Sequence, residues 1–142
     1  MNACYLRAVT VLSGILLSAT AITVLAHGEV TPQAVDTTGL ESLGTEWKKT
    51  NPFRGNKRAV EIGSSAYNQN CARCHGLEGV SGGIAPDLRN LPLDAETEEY
   101  FVDTVRKGRT RDGRVYMPPF EGTLSQEAIW AIRSWLDTVH VE

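Results

Sequence analysis

Apolar residues recur at helical spacing in three stretches of the chain. Ala59, Val60, Ile62, Gly63, Ala66 and Tyr67 share one broad face of a helix predicted over 57–70. Tyr100, Phe101 and Val105 give a buried side to a second helix predicted over 94–107, capped by Asp94. Its first turns carry Glu96, Glu98 and Glu99 and its last turn Arg106 and Lys107, an order that suits the helix dipole, and Gly108 ends it. Ala128, Ile129, Ile132, Trp135, Leu136 and Val139 keep the helical period through a third helix, predicted over 125–139 with Ser125 as its cap. A weaker stripe, Leu40, Leu43 and Trp47, predicts a helical turn or two, and Pro52 stops any continuation. The expected fold class is all-α.

Two positions in this pattern carry packing information. Gly63 weakens its helix relative to alanine, so its expected compensation is close approach of another helix. The Ile132/Trp135/Leu136 face of the last helix is the natural partner for Gly63 and Tyr67. The adjacent glutamates at 96–99 lack a calcium-binding loop and read as a solvated face.

An apolar run from about residue 8 to residue 25 follows Arg7, and Val24-Leu25-Ala26 offers small residues for cleavage. Residues 1–26 are therefore expected to be a secretory signal, with His27 beginning the mature protein. Thr10, Ser13, Gly14, Ser18, Thr20 and Thr23 break the run and argue against a retained membrane span. Cys4 precedes the run and leaves with it. Residues 27–56 are polar and punctuated by Pro32, Gly39, Gly44, Pro52 and Gly55; they read as an arm lying against a domain at 57–142. His27 as an amino-terminal copper ligand would need a second convergent histidine, and none is evident.

The charge balance narrows the classes of partner. Only Arg7 of the 14 basic residues lies in the leader, so the remaining 116 residues hold 13 basic and 17 acidic groups. That acidic balance argues against nucleic acid. Arg106, Lys107, Arg109, Arg111 and Arg114 nonetheless cluster within nine residues. They read as groups pairing with a cofactor's carboxylates, as a steering ring for a partner, or as a solvated loop.

The chemistry centres on Cys71-Ala72-Arg73-Cys74-His75. A Cys-x-x-Cys-His run is a c-type haem attachment pattern: two thiols on one helical turn add to two vinyl groups, and the adjacent imidazole lies under the iron. A thioredoxin-like pair would need a neighbouring βαβ pattern, and a structural zinc site would need four ligands. A plain disulfide leaves His75 unexplained. Gly76, Gly79, Gly82 and Gly83 match no phosphate-binding fingerprint and are expected to let the backbone hug the porphyrin edge. Pro86, with a carbonyl and no N–H, is suited to accept a hydrogen bond from the His75 ring. Met117 follows His75 by 42 residues in an extended stretch stiffened by Pro118 and Pro119, and is assigned as the distal iron ligand. Met/His ligation is the arrangement of electron-transfer c-type cytochromes.

With these residues in place, the stretch 57–142 resembles the class I cytochromes c. The resemblance implies a compact fold in which first and last helices cross around one covalent haem. Ala85-Pro86 stands where Gly-Pro is often found. A narrower likeness, carried by HGEVTPQAVDTTGL, by the stretch from NPFRGNKRAV to GGIAPDL and by DGRVYMPP, is to periplasmic cytochromes c paired with quinoprotein alcohol dehydrogenases. It implies a donor that uses pyrroloquinoline quinone (PQQ) and a downstream cytochrome or oxidase as acceptor. The function expected is one-electron transfer without enzymatic activity. The alternative is a haem enzyme or gas-binding sensor with an open or labile distal site.

Overall fold

The computed structural model describes residues 31–142; the expected signal segment and His27 lie outside the described residues. Four helices follow in order: α1 (Lys57–Asn70), α2 (Ala72–His75), α3 (Ala95–Lys107) and α4 (Gln126–Thr138). Single 3₁₀ turns at Leu77–Gly79 and Leu88–Asn90 punctuate the loop between α2 and α3. Each long helix begins at a side-chain cap. Asn56 accepts from the Ala59 N–H at 3.2 Å, Asp94 from Thr97 at 2.7 Å and Ser125 from Ala128 at 3.2 Å. These bonds satisfy donors that have no partner inside the helix.

α1 packs chiefly against α4. At Gly63 the two backbones meet: a Cβ there would lie 1.9 Å from the Ala131 carbonyl oxygen. The expected close approach is therefore real, and the glycine's conformational cost is offset by contact no other residue allows. One turn on, the Tyr67 and Trp135 rings pack at a tilt of 37° with centroids 4.5 Å apart. Trp130, Ile129, Ile132 and Leu136 complete a core that α4 dominates.

Three expectations are corrected. The first concerns fold class: the protein is predominantly helical, but β1 (Arg109–Arg111) and β2 (Arg114–Met117) pair antiparallel, with Arg109 opposite Met117. Asp112 and Gly113 both take positive φ, +50° and +74°, as a two-residue hairpin turn requires. The strands are short and charge-dense, so no apolar alternation announces them. The second concerns the stripe Leu40, Leu43 and Trp47, which is half-buried against the core but not helical. The Leu40 N–H closes a local turn on the Thr37 carbonyl at 3.0 Å, while two later donors go to α4: Leu43 N–H to Glu127 Oε1 at 2.8 Å and Lys48 N–H to Gln126 Oε1 at 2.7 Å.

The third correction is Glu98, which is not solvated but 4 % exposed. It accepts the Asn51 N–H at 3.0 Å and pairs with Arg54. Behind it, Arg133 is buried, donates to the Pro92 carbonyl at 2.6 Å and lies 3.3 Å from Asp137. Burial lowers the Arg133 pKa and raises that of Asp137, each partly opposed by the other's charge. No helix among the described residues is long and apolar enough to cross a membrane.

Candidate functional site

α1 ends as its ladder passes into α2. The Cys71 N–H still donates to the Tyr67 carbonyl at 2.8 Å, and the His75 N–H to the Cys71 carbonyl at 3.0 Å. Cys71, Cys74 and His75 therefore share one helical turn on a continuous scaffold. Both thiols are free and half-buried. Burial, with the neighbouring Cys74 adding to it, pushes the Cys71 thiol up to about 12, so it is a neutral thiol at physiological pH.

The loop after α2 turns back at Gly76, whose φ is +80° and whose Cβ would lie 1.8 Å from the Val80 carbonyl oxygen. That glycine is needed for the chain's own tight turn. Gly82 and Gly83 have nothing within 4 Å of a Cβ, so they stand in open space. The hydroxyl of buried Tyr67 donates to the Gly76 carbonyl at 2.8 Å and anchors the turn to α1. The returning chain brings the Pro86 carbonyl oxygen to 2.9 Å from His75 Nδ1. A carbonyl can only accept, so Nδ1 carries a proton, which leaves Nε2 as the ring nitrogen that could ligate a metal.

Asp87, next in the chain, accepts from the Arg89 N–H at 3.0 Å, the Arg89 guanidinium at 2.8 Å and the Ser81 N–H at 3.3 Å. The Arg89 side-chain bond, despite some desolvation, lowers the carboxyl to about 2. This brace, which sequence patterning did not single out, holds both ends of the loop that presents Pro86.

Met117 ends β2, half-buried against the same core that Cys71 packs on. The basic cluster preceding it is largely engaged. Arg106 reaches Glu121 at 2.8 Å and lies over the Trp47 ring; Lys107 pairs with Asp103; Arg109 bonds Thr104 and lies over Tyr100. Arg111 and Arg114 remain exposed on the hairpin.

The residues present fit a covalently attached haem. Two free thiols and an oriented imidazole occupy one turn, and large apolar side chains are exposed in the segments following His75 and preceding Met117. Leu77 is 73 % and Ile84 81 % exposed, Val115 and Tyr116 65 % each. An apolar ligand is what such side chains would serve. Among the described residues no three of His, Cys, Asp and Glu gather where they could hold a metal ion.

Comparison with known proteins agrees with this chemistry. Residues 58–136 match the family model described as cytochrome c oxidase, cbb3-type, subunit III. The chain is 60 % identical over 141 residues to cytochrome c550 of Pseudomonas aeruginosa, covering 96 % of this chain and 95 % of that protein. It is 36 % identical over 78 residues to quinohemoprotein alcohol dehydrogenase ADH-IIG of Pseudomonas putida, 55 % of this chain but 10 % of that protein. The solved ADHIIG structure superposes with a TM-score of 0.51 at 31 % identity, covering 70 % of this chain and 14 % of that one. Cytochrome cL of Methylophaga aminisulfidivorans gives a TM-score of 0.51 over 72 % of each chain at 19 % identity, a likeness of fold alone.

Proposed function

The chain belongs to the c-type cytochrome family that its residues 58–136 match, and on that premise we propose that it is a periplasmic one-electron carrier between a PQQ-dependent alcohol dehydrogenase and a downstream cytochrome or oxidase. It is an electron-transfer protein carrying covalent haem c, not an enzyme. The assignment of donor is supported by the likeness to the quinohemoprotein dehydrogenases, which join such a domain to a much longer chain.

One observation carries the site: His75 Nδ1 is committed to the Pro86 carbonyl, on the same turn as two free thiols. Cys71 and Cys74 would hold the group covalently, and His75 Nε2 and the Met117 thioether would ligate its iron. Haem held there supplies a one-electron couple. Pro86 fixes the imidazole tautomer and makes the ring more electron-donating. Met117 works in the opposite direction, since a thioether ligand raises the potential. With His75 and Met117 both given to the iron, no coordination position would be left for a substrate. In the same reading α1 and α4 are the crossed terminal pair of the class I fold, residues 27–56 form an arm on it, and export removes residues 1–26 after Ala26.

Visible spectra of the secreted protein in both redox states test this. A low-spin c-type spectrum with a far-red sulfur-to-iron band is expected, together with rapid reduction by a quinoprotein dehydrogenase plus its alcohol. Met117→Ala should abolish the far-red band and lower the potential. An unaltered spectrum in that variant would remove Met117 from the iron.

A further inference from the structure

The chain immediately after Met117 does not hang free behind the hairpin; it is laid along the end of α3. The Phe120 N–H donates to the Val105 carbonyl at 3.0 Å, and the Glu121 N–H to the Arg106 carbonyl at 3.2 Å. The Arg106 guanidinium closes the same junction on Glu121 at 2.8 Å. Between these bonds and β1 sits Gly108. Its φ of +69° and ψ of −168° belong to a region that only glycine populates readily. A Cβ on it would lie 2.4 Å from the Met117 carbonyl oxygen and 2.8 Å from both Pro118 C and Pro119 N. All three are backbone atoms, two of them in a Pro-Pro segment whose φ angles are locked, so the neighbour has little means of yielding.

We infer that the end of α3 is the brace that fixes the Met117 loop, and that Gly108 is its positioning residue. The inference rests on Met117 being the distal ligand. Stopping a helix needs only a residue that tolerates positive φ; what Gly108 adds is the absence of a side chain where the Met117 carbonyl passes. Any side chain there moves the ligand-bearing backbone outward, leaves the thioether off the iron for a larger fraction of the time, and opens that position to an external ligand.

The test is imidazole titration of the ferric holoprotein, read with the far-red band and the potential. Apparent imidazole affinity scales with the fraction of molecules whose sixth position is open, so Gly108→Ala should tighten it by about tenfold or more, towards the Met117→Ala value. The band should weaken in parallel and the potential fall. Gly113→Ala is the control: its φ is +74°, but nothing lies within 4 Å of its Cβ. It carries backbone strain without collision and should stay within about twofold of the parent.

The brace is overturned if Gly108→Ala keeps its band and affinity, or if Gly113→Ala shifts them as much. Should Gly108→Ala fail to load haem, Glu121→Ala decides. Removing that partly exposed ion pair should tighten imidazole by roughly threefold, and no change overturns the brace. If Met117→Ala itself leaves band and affinity untouched, the ligand assignment fails and the brace with it, a result distinct from failure at Gly108 alone.

Discussion

On the loop that presents Pro86, Tyr67 acts through one bond and Asp87 through several. Burial raises the Tyr67 phenol above its ordinary value, so it stays a neutral donor to the Gly76 carbonyl across the working pH range. Tyr67→Phe leaves that carbonyl without its partner and should cost about 1–2 kcal/mol in urea unfolding. Asp87 works through its charge. Its folded pKa, about 2, lies below the ordinary carboxylate value of about 3.9. Its contribution is therefore present above the unfolded value and is lost as pH falls through the folded one. Protection of the Ser81 and Arg89 amides, whose N–H groups it accepts, should fall relative to their intrinsic exchange rates as pH drops from about 4 to about 2. Asp87→Asn should flatten that dependence. Cys71, Cys74, His75, Pro86 and Met117, the proposed haem residues, could be named from the sequence because ligation would demand those residue types at given spacings. The Tyr67 and Asp87 bonds could not, since a buried tyrosine and a loop aspartate have many possible partners.

Helices were read well where burial on one face dictates the period. The predicted 57–70 helix is α1 as observed, and α3 and α4 start one residue inside their expected ranges because Asp94 and Ser125 are caps. Gly63 shows why a weak point in a helix can be its most constrained position. Gly63→Ala improves intrinsic propensity, yet it drives a methyl into the Ala131 carbonyl and should destabilise the protein by more than about 2 kcal/mol in thermal or urea melts. The hairpin went unread because its strands are three and four residues long and hold three arginines. The turn signal Asp112-Gly113 was the one local clue. The stripe at Leu40, Leu43 and Trp47 misled for a different reason: apolar spacing reports which side chains are buried. It does not report whether the backbone bonds to itself or to Gln126 and Glu127 of α4.

At the scale of the molecule, a charged cluster ties three separate parts of the chain together. Arg54 and Asn51 precede α1, Glu98 lies on α3, and Arg133 and Asp137 lie on α4. Glu98→Ala should cost about 2–3 kcal/mol, below the range for fully buried pairs because Arg54 retains 43 % side-chain exposure. Limited proteolysis should then cut first within residues 31–56, the segment whose Asn51 bond is lost. By itself the sequence determined the three long helices, the turn that carries Cys71, Cys74 and His75, and the electron-transfer class. Periodicity follows from one-sided burial, and ligation and thioether formation need particular atoms at particular offsets. Only the tertiary structure decided that Glu98 is buried, that the Met117 chain lies along the end of α3 and that Gly108 must lack a side chain. Those depend on contacts between residues distant along the chain or on the course of the backbone in space, and neither is written in local spacing.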